Sequence, residues 1–144
     1  MRFAIVTSKF NAEVTNGLRE GALAYLKEKE MSATQIELFE APGAFETPLI
    51  AQKLARTGRF SGVICLGSVI KGETAHFEFI SLGASMGIMQ AMLSTNVPIS
   101  FGILTTYTDE QAALRSANDQ HNKGREAAAA CFETALLFES IRRD

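Results

Sequence analysis

Four apolar residues in a row, Val63-Ile64-Cys65-Leu66, run into Gly67, and Gly72 follows five positions later. An unbroken apolar run this short, closed by glycine, reads as a strand buried on both faces, and such strands belong to parallel sheets. A parallel sheet needs a long crossover after each strand, so helices must cover its faces. Gly67 and Gly72 are expected to open a tight loop, with the backbone N–H groups of Glu73 to His76 starting the next helix unpaired. Free donors and the positive end of a helix dipole attract anions, and His76 adds an imidazole to the same turn. The stretch from Gly67 to Phe77 is therefore the first candidate site.

The flanking sequence repeats the strand-helix alternation. Phe3 to Thr7 reads as a first strand, ending in Ser8-Lys9-Phe10-Asn11. Val14, Leu18, Ala22, Tyr25 and Leu26 then share one helical face. Ile36 and Leu38 mark a second strand closed by Ala41-Pro42-Gly43, and Thr47 is expected to cap a helix with Pro48 at its first position. Val63 to Leu66 is the third strand and Ile99 to Thr105 the fourth. Thr108-Asp109-Glu110-Gln111 has the form of a capping box for a short helix to about Ser116, and a last helix runs from near Lys123 to Ile141. With right-handed crossovers, the order predicts a three-layer α/β/α sandwich of the flavodoxin-like type, its four parallel strands ordered 2-1-3-4. Ligands in such sheets bind beyond the carboxyl ends of the strands, which selects the loops Lys9-Asn11, Pro42-Glu46, Ser68-His76 and Thr105-Thr108.

The third helix, expected from about Thr74 to Leu93, is apolar all round: Phe77, Phe79, Ile80, Leu82, Met86, Ile88, Met89, Met92 and Leu93 encircle its axis. One side can cover the sheet, but a chain of 144 residues has little left to cover the other. A homo-oligomer is the simplest account, and Gly83, Ala84, Ser85 and Gly87 would permit close helix approach. One domain over residues 1–144 is expected. A net charge of −2 with no basic stripe gives a nucleic-acid role little support. No stretch approaches a membrane span or a cleavable leader, and the reading is cytoplasmic. Cys65 and Cys131 lie in apolar stretches as expected buried free thiols, and no Cys, His or Asp cluster has metal-ligand spacing.

Taken in order, Ser8-Lys9-Phe10-Asn11, Pro42-Gly43-Ala44-Phe45-Glu46, Gly67 to Phe77, Phe101 to Thr106, Glu110-Gln111-Ala112 with Arg115, and Asn122-Lys123-Gly124 resemble the lumazine synthase family over nearly the whole chain. The resemblance implies condensation of 5-amino-6-(D-ribitylamino)uracil with 3,4-dihydroxy-2-butanone 4-phosphate, without metal or organic cofactor. It also implies a homo-oligomer, a pentamer or a multiple of one, with active sites between subunits. The related archaeal-type riboflavin synthase and a non-catalytic flavin- or lumazine-binding oligomer are the rivals. The complete set of loop motifs speaks against the first. A binding module would not need the phosphate residues.

The resemblance assigns roles that the chemistry of each side chain can fill. Phe10 would stack on the pyrimidine ring. Ala44, Phe45 and Glu46 would lie along the ribityl chain, and Ser68, Val69 and Ile70 would offer backbone donors and acceptors to the pyrimidine edge. Glu73 and Thr74 would bind phosphate through main-chain N–H groups and the threonine hydroxyl, the Glu73 side chain facing away. Arg115 would complete the phosphate site from a neighbouring subunit, its fork of donors matching a dianion. Phe101 and Lys123 would come from that neighbour too, although Phe101 also suits plain core and Lys123 equally suits a solvated helix start. His76 would transfer protons.

Overall fold

In a computed structural model that describes residues 1–142, strand residues 3–8 alternate between two cores. The strand, β1 (Phe3–Ser8), turns Phe3 and Ile5 to one side and Ala4 and Val6 to the other, and all four are buried. Helix α1 (Ala12–Glu28) leads to β2 (Ile36–Ala41), and α2 (Thr47–Ala55) to β3 (Gly62–Ile70). Helix α3 (His76–Thr95) leads to β4 (Ile99–Thr106), followed by α4 (Asp109–Arg115) and α5 (Lys123–Arg142). The four strands are parallel in the order β2-β1-β3-β4, as expected from the crossovers. The α1/α5 side holds Ile64 and Leu66 with Leu18, Leu26 and Phe132; the α2/α3 side holds Val63 and Cys65 with Ala51, Leu54 and Ile88.

Two local expectations change. The third strand does not stop at Leu66: it continues through Gly67, Ser68 and Val69 to Ile70, paired along its length with β4. Gly67 is therefore a strand residue rather than a loop opener. A Cβ built there would lie 3.0 Å from Ser8 Oγ and 3.5 Å from Ala44 Cβ, so close approach explains the glycine. The helix after the loop accordingly starts at His76, with Glu73 and Thr74 in the bend before it. Nor is Thr47 a cap. Ala44–Glu46 form a turn of 3₁₀ helix running straight into α2, and the buried Thr47 hydroxyl donates to Ala44 O at 2.7 Å. Thr108 does cap α4, accepting from Gln111 N at 3.1 Å, while the Gln111 amide oxygen reaches back to Tyr107 N at 2.8 Å.

The α1/α5 contact is close because glycines line it. Asn122 is buried, and its amide donates to Gly17 O (3.1 Å) and Ala117 O (2.9 Å) while its oxygen accepts from Arg125 N (3.0 Å), capping α5. Arg125 adds a two-pronged bridge to Glu28 at the far end of α1, and that bond holds the Glu28 carboxyl below its usual range. On the other face, Gly83 and Gly87 of α3 receive Phe45 and Pro48: added Cβ atoms would lie 2.7 Å from Phe45 Cε1 and 2.8 Å from Pro48 Cβ. These small residues thus serve packing within the chain.

Helix α3 buries Ala84, Ile88 and Ala91 but leaves Phe79, Leu82, Met86, Met89 and Leu93 exposed in a continuous apolar face. Among the described residues no helix is long and apolar enough to cross a membrane. Both thiols are buried; burial pushes Cys65 up to about 12 and raises Cys131 as well. The native protein should therefore be inert to an aromatic disulfide reagent at about pH 8 and release two equivalents per chain once unfolded in urea. A native thiol that reacts within minutes would contradict this burial.

Candidate active site

At the carboxyl ends of β1, β2 and β3 the chain leaves a cleft of about 420 Å³. Phe10 and Asn11 enter it from the loop after β1, Gly43 to Glu46 from the loop after β2, Ser68 to Ile70 from the end of β3, and His76 and Ile80 from the first turns of α3. Phe10 is 70% exposed, so it is not a core residue closing the loop. Its ring lies over Gly43, where an added Cβ would come within 3.4 Å of Cδ2. The Glu46 carboxylate turns back to the same spot, 3.1 Å from that position. A flat aromatic face and an anionic acceptor therefore meet at one mouth.

The floor is built from main chain. Val63 N donates to Pro98 O and Lys71 N to Thr106 O, so odd-numbered residues of β3 direct their backbone groups toward the β4 side. Even-numbered residues therefore face β1, and β1 pairs with β3 only as far as Thr7 opposite Leu66. Beyond that point Ser68 and Ile70 project backbone groups where β1 has already turned away. Asn11 takes one of them, its Nδ2 donating to Ser68 O at 2.9 Å. The N–H and C=O of Ile70 remain as an adjacent donor and acceptor on the cleft side, a pair that suits the edge of a heterocycle.

Asn11 and Ile80 received no role from the sequence. Asn11 has φ 56°, a left-handed conformation that asparagine tolerates better than most residues, and a polar residue at a strand end before a helix was the available signal. Ile80 lies four residues after His76, one helical turn on, and that spacing alone puts both on one face.

The remaining candidates lie elsewhere. Glu73 and Thr74 are exposed in the bend before α3, and the Thr74 hydroxyl accepts from His76 N at a long 3.4 Å. Phe101 is 44% exposed on the edge strand β4, lining an apolar groove with Met89 and Met92 of α3 and Ala130 and Thr134 of α5. The Arg115 guanidinium, at the end of α4, donates to Gln111 O at 3.1 Å. Lys123 pairs with Glu126 at 3.3 Å in the first turn of α5. None of these five residues lines the cleft within one chain. His121 is exposed, and its backbone N donates to Asp119 Oδ1 at 2.8 Å. Among the described residues no group of three or more His, Cys, Asp or Glu side chains is placed to share a metal ion.

A doubly wound parallel sheet with aromatic, carboxylate, imidazole and peptide groups gathered at its strand ends defines an α/β protein with its candidate site where such sheets hold small-molecule ligands. Residues 1–139 match the family model described as 6,7-dimethyl-8-ribityllumazine synthase. Over 143 residues the chain is 61% identical to 6,7-dimethyl-8-ribityllumazine synthase 1 of Caulobacter vibrioides, covering 99% of this chain and 94% of that protein. It is 46% identical over 140 residues to the 6,7-dimethyl-8-ribityllumazine synthase of Salinibacter ruber, covering 97% of this chain and 90% of that one. The Deinococcus radiodurans protein of the same name is 43% identical over 143 residues, covering 99% and 92%. The chain belongs to the 6,7-dimethyl-8-ribityllumazine synthase family, enzymes of riboflavin biosynthesis.

Proposed function

We propose that the protein condenses 5-amino-6-(D-ribitylamino)uracil with (3S)-3,4-dihydroxy-2-butanone 4-phosphate, giving 6,7-dimethyl-8-ribityllumazine, phosphate and water. The observation that carries the reading is the cleft in which Phe10, Glu46, the Ile70 peptide groups and His76 converge. Phe10 stacks on the uracil, and the Ile70 donor and acceptor read its edge. Ala44, Phe45 and Glu46 line the path of the ribityl chain, whose hydroxyls the Glu46 carboxylate accepts.

The chemistry is amine attack on the ketone, loss of water to an imine, elimination of phosphate and ring closure with loss of a second water. Each step moves a proton, and His76 is the imidazole within reach of the cleft. The phosphate sits against the main chain of Glu73 and Thr74 at the head of α3, where the helix dipole favours an anion.

Arg115, Phe101 and Lys123 reach the site from a neighbouring copy of the chain in this reading. The support is that they lie outside the cleft of their own chain and that α3 leaves a broad apolar face to be covered. A ring in which each copy completes the next, a pentamer or a multiple of one, fits both facts.

The test is a steady-state assay with both substrates and EDTA present, following lumazine absorbance and phosphate release together. Turnover with one phosphate per lumazine is expected. Tight binding of lumazine without turnover would overturn the reading in favour of a binding protein.

A further inference from the structure

Residues 71–75, between β3 and α3, form a loop with almost nothing of its own to hold it. Gly72 has no heavy atom within 4 Å of a built Cβ, and residues 71–76 are exposed. The hydrogen bond from His76 N to Thr74 Oγ1 is long at 3.4 Å. The loop is pinned at its ends instead. Lys71 N donates to Thr106 O at 2.9 Å, extending the β3/β4 ladder by one bond. The Lys71 side chain then spans the loop, its Nζ donating to Glu78 Oε1 at 2.6 Å in the first turn of α3. The same ammonium stands 5.5 Å from the centre of the Phe77 ring, which packs 6.0 Å from Tyr107.

Exposed ion pairs contribute little on average, because ordering two long side chains offsets the attraction. This pair differs in where it is rooted. One partner leaves an anchored strand end and the other a helix turn, so forming it fixes the distance across an otherwise unsupported segment. It also answers an electrostatic difficulty. Glu78 places a carboxylate at the end of the helix proposed to receive a phosphate dianion, and like charges there would repel. The Lys71 hydrogen bond keeps that carboxylate compensated and lowers the pKa of Glu78.

We propose that Lys71 and Glu78 form a positioning clamp that holds the 71–75 loop in the shape that receives the phosphate of the four-carbon substrate. The inference rests on the substrate reading above. Neither residue is assigned contact with the reacting atoms. They act through the main chain of Glu73 and Thr74.

The test uses the whole oligomeric protein and the variants Lys71→Met, Lys71→Arg and Lys71→Met/Glu78→Gln. The readouts are KM for each substrate, Ki for inorganic phosphate as a competitive inhibitor, and thermal unfolding to establish that each variant folds. Lys71→Met should raise KM for the butanone phosphate and Ki for inorganic phosphate by about fivefold, the effect of losing one favourable exposed pair. KM for the pyrimidine should stay within about twofold. Lys71→Arg should restore both phosphate constants, and the double variant should fall between wild type and Lys71→Met because its bare carboxylate is gone. Equal changes in both KM values, or an unmoved phosphate Ki in a folded Lys71→Met protein, would overturn the clamp. A wild type without turnover would sink the substrate reading instead, so the two failures are separable.

Discussion

Replacing Gly124 by alanine should destabilise the protein by more than about 3 kcal/mol, although helix propensity alone favours alanine by up to about 1 kcal/mol. The reason is contact between main chains. A Cβ on Gly124 would stand 1.8 Å from Leu18 O, 2.5 Å from Leu18 C and 2.8 Å from Leu18 Cα. No rotamer relieves a collision with another helix's backbone; α1 and α5 must separate. They carry Leu18, Leu26, Cys131 and Phe132 of one core, so separation opens voids there. The loss is a large share of the roughly 5–15 kcal/mol that holds a typical domain together. Urea titration followed by circular dichroism should place the midpoint lower by at least about 1 M, given a slope of about 1–3 kcal/mol/M. A midpoint equal to wild type would mean that the helices pack more loosely than the geometry implies.

The second large effect is on rate. On the proposed reading, His76→Ala should lower kcat by about a hundredfold or more and leave stability unchanged. The imidazole is exposed at the start of α3, and its main-chain N–H, which the substitution keeps, makes the bond to Thr74. Activity should not vanish, because holding two substrates face to face supplies much of the acceleration without any proton donor. Single-turnover kinetics on the purified variant, with a thermal melt alongside, measure both quantities. Complete inactivity of a folded His76→Ala protein, or an unchanged kcat, would refute this division of labour.

Strand order was legible because apolar runs such as Val63 to Leu66 can satisfy only a sheet covered on both faces. What stayed hidden was set by contacts between distant parts of the chain. Gly67 looks like a loop opener until Ser8 and Ala44 are seen crowding it from neighbouring elements. Thr47 looks like a cap until the preceding 3₁₀ turn makes its hydroxyl a donor to Ala44. The candidate site divides in the same way. Phe10, Ala44 to Glu46, Ser68 to Ile70 and His76 meet because each lies at or just beyond the carboxyl end of a strand, and the topology fixes where strand ends go. Phe101, Arg115 and Lys123 carry motif resemblance, but no periodicity in one chain says what they face. Asn122 carries only motif resemblance in the sequence, because its three side-chain bonds, to α1, α5 and the loop before α5, depend on a close approach at Gly21, a glycine whose position has other uses.

The unclaimed peptide groups of Ile70 have an unusual genetic implication. Every amino acid except proline brings the same amide and carbonyl, so on the proposed reading mutational scanning at this position would register little change in which heterocycle is accepted. Selectivity written in the main chain is invisible to side-chain replacement and resistant to drift. Swapping the amide for an ester, by semisynthesis, would erase one donor without touching the side chain and expose a determinant that point mutations pass over.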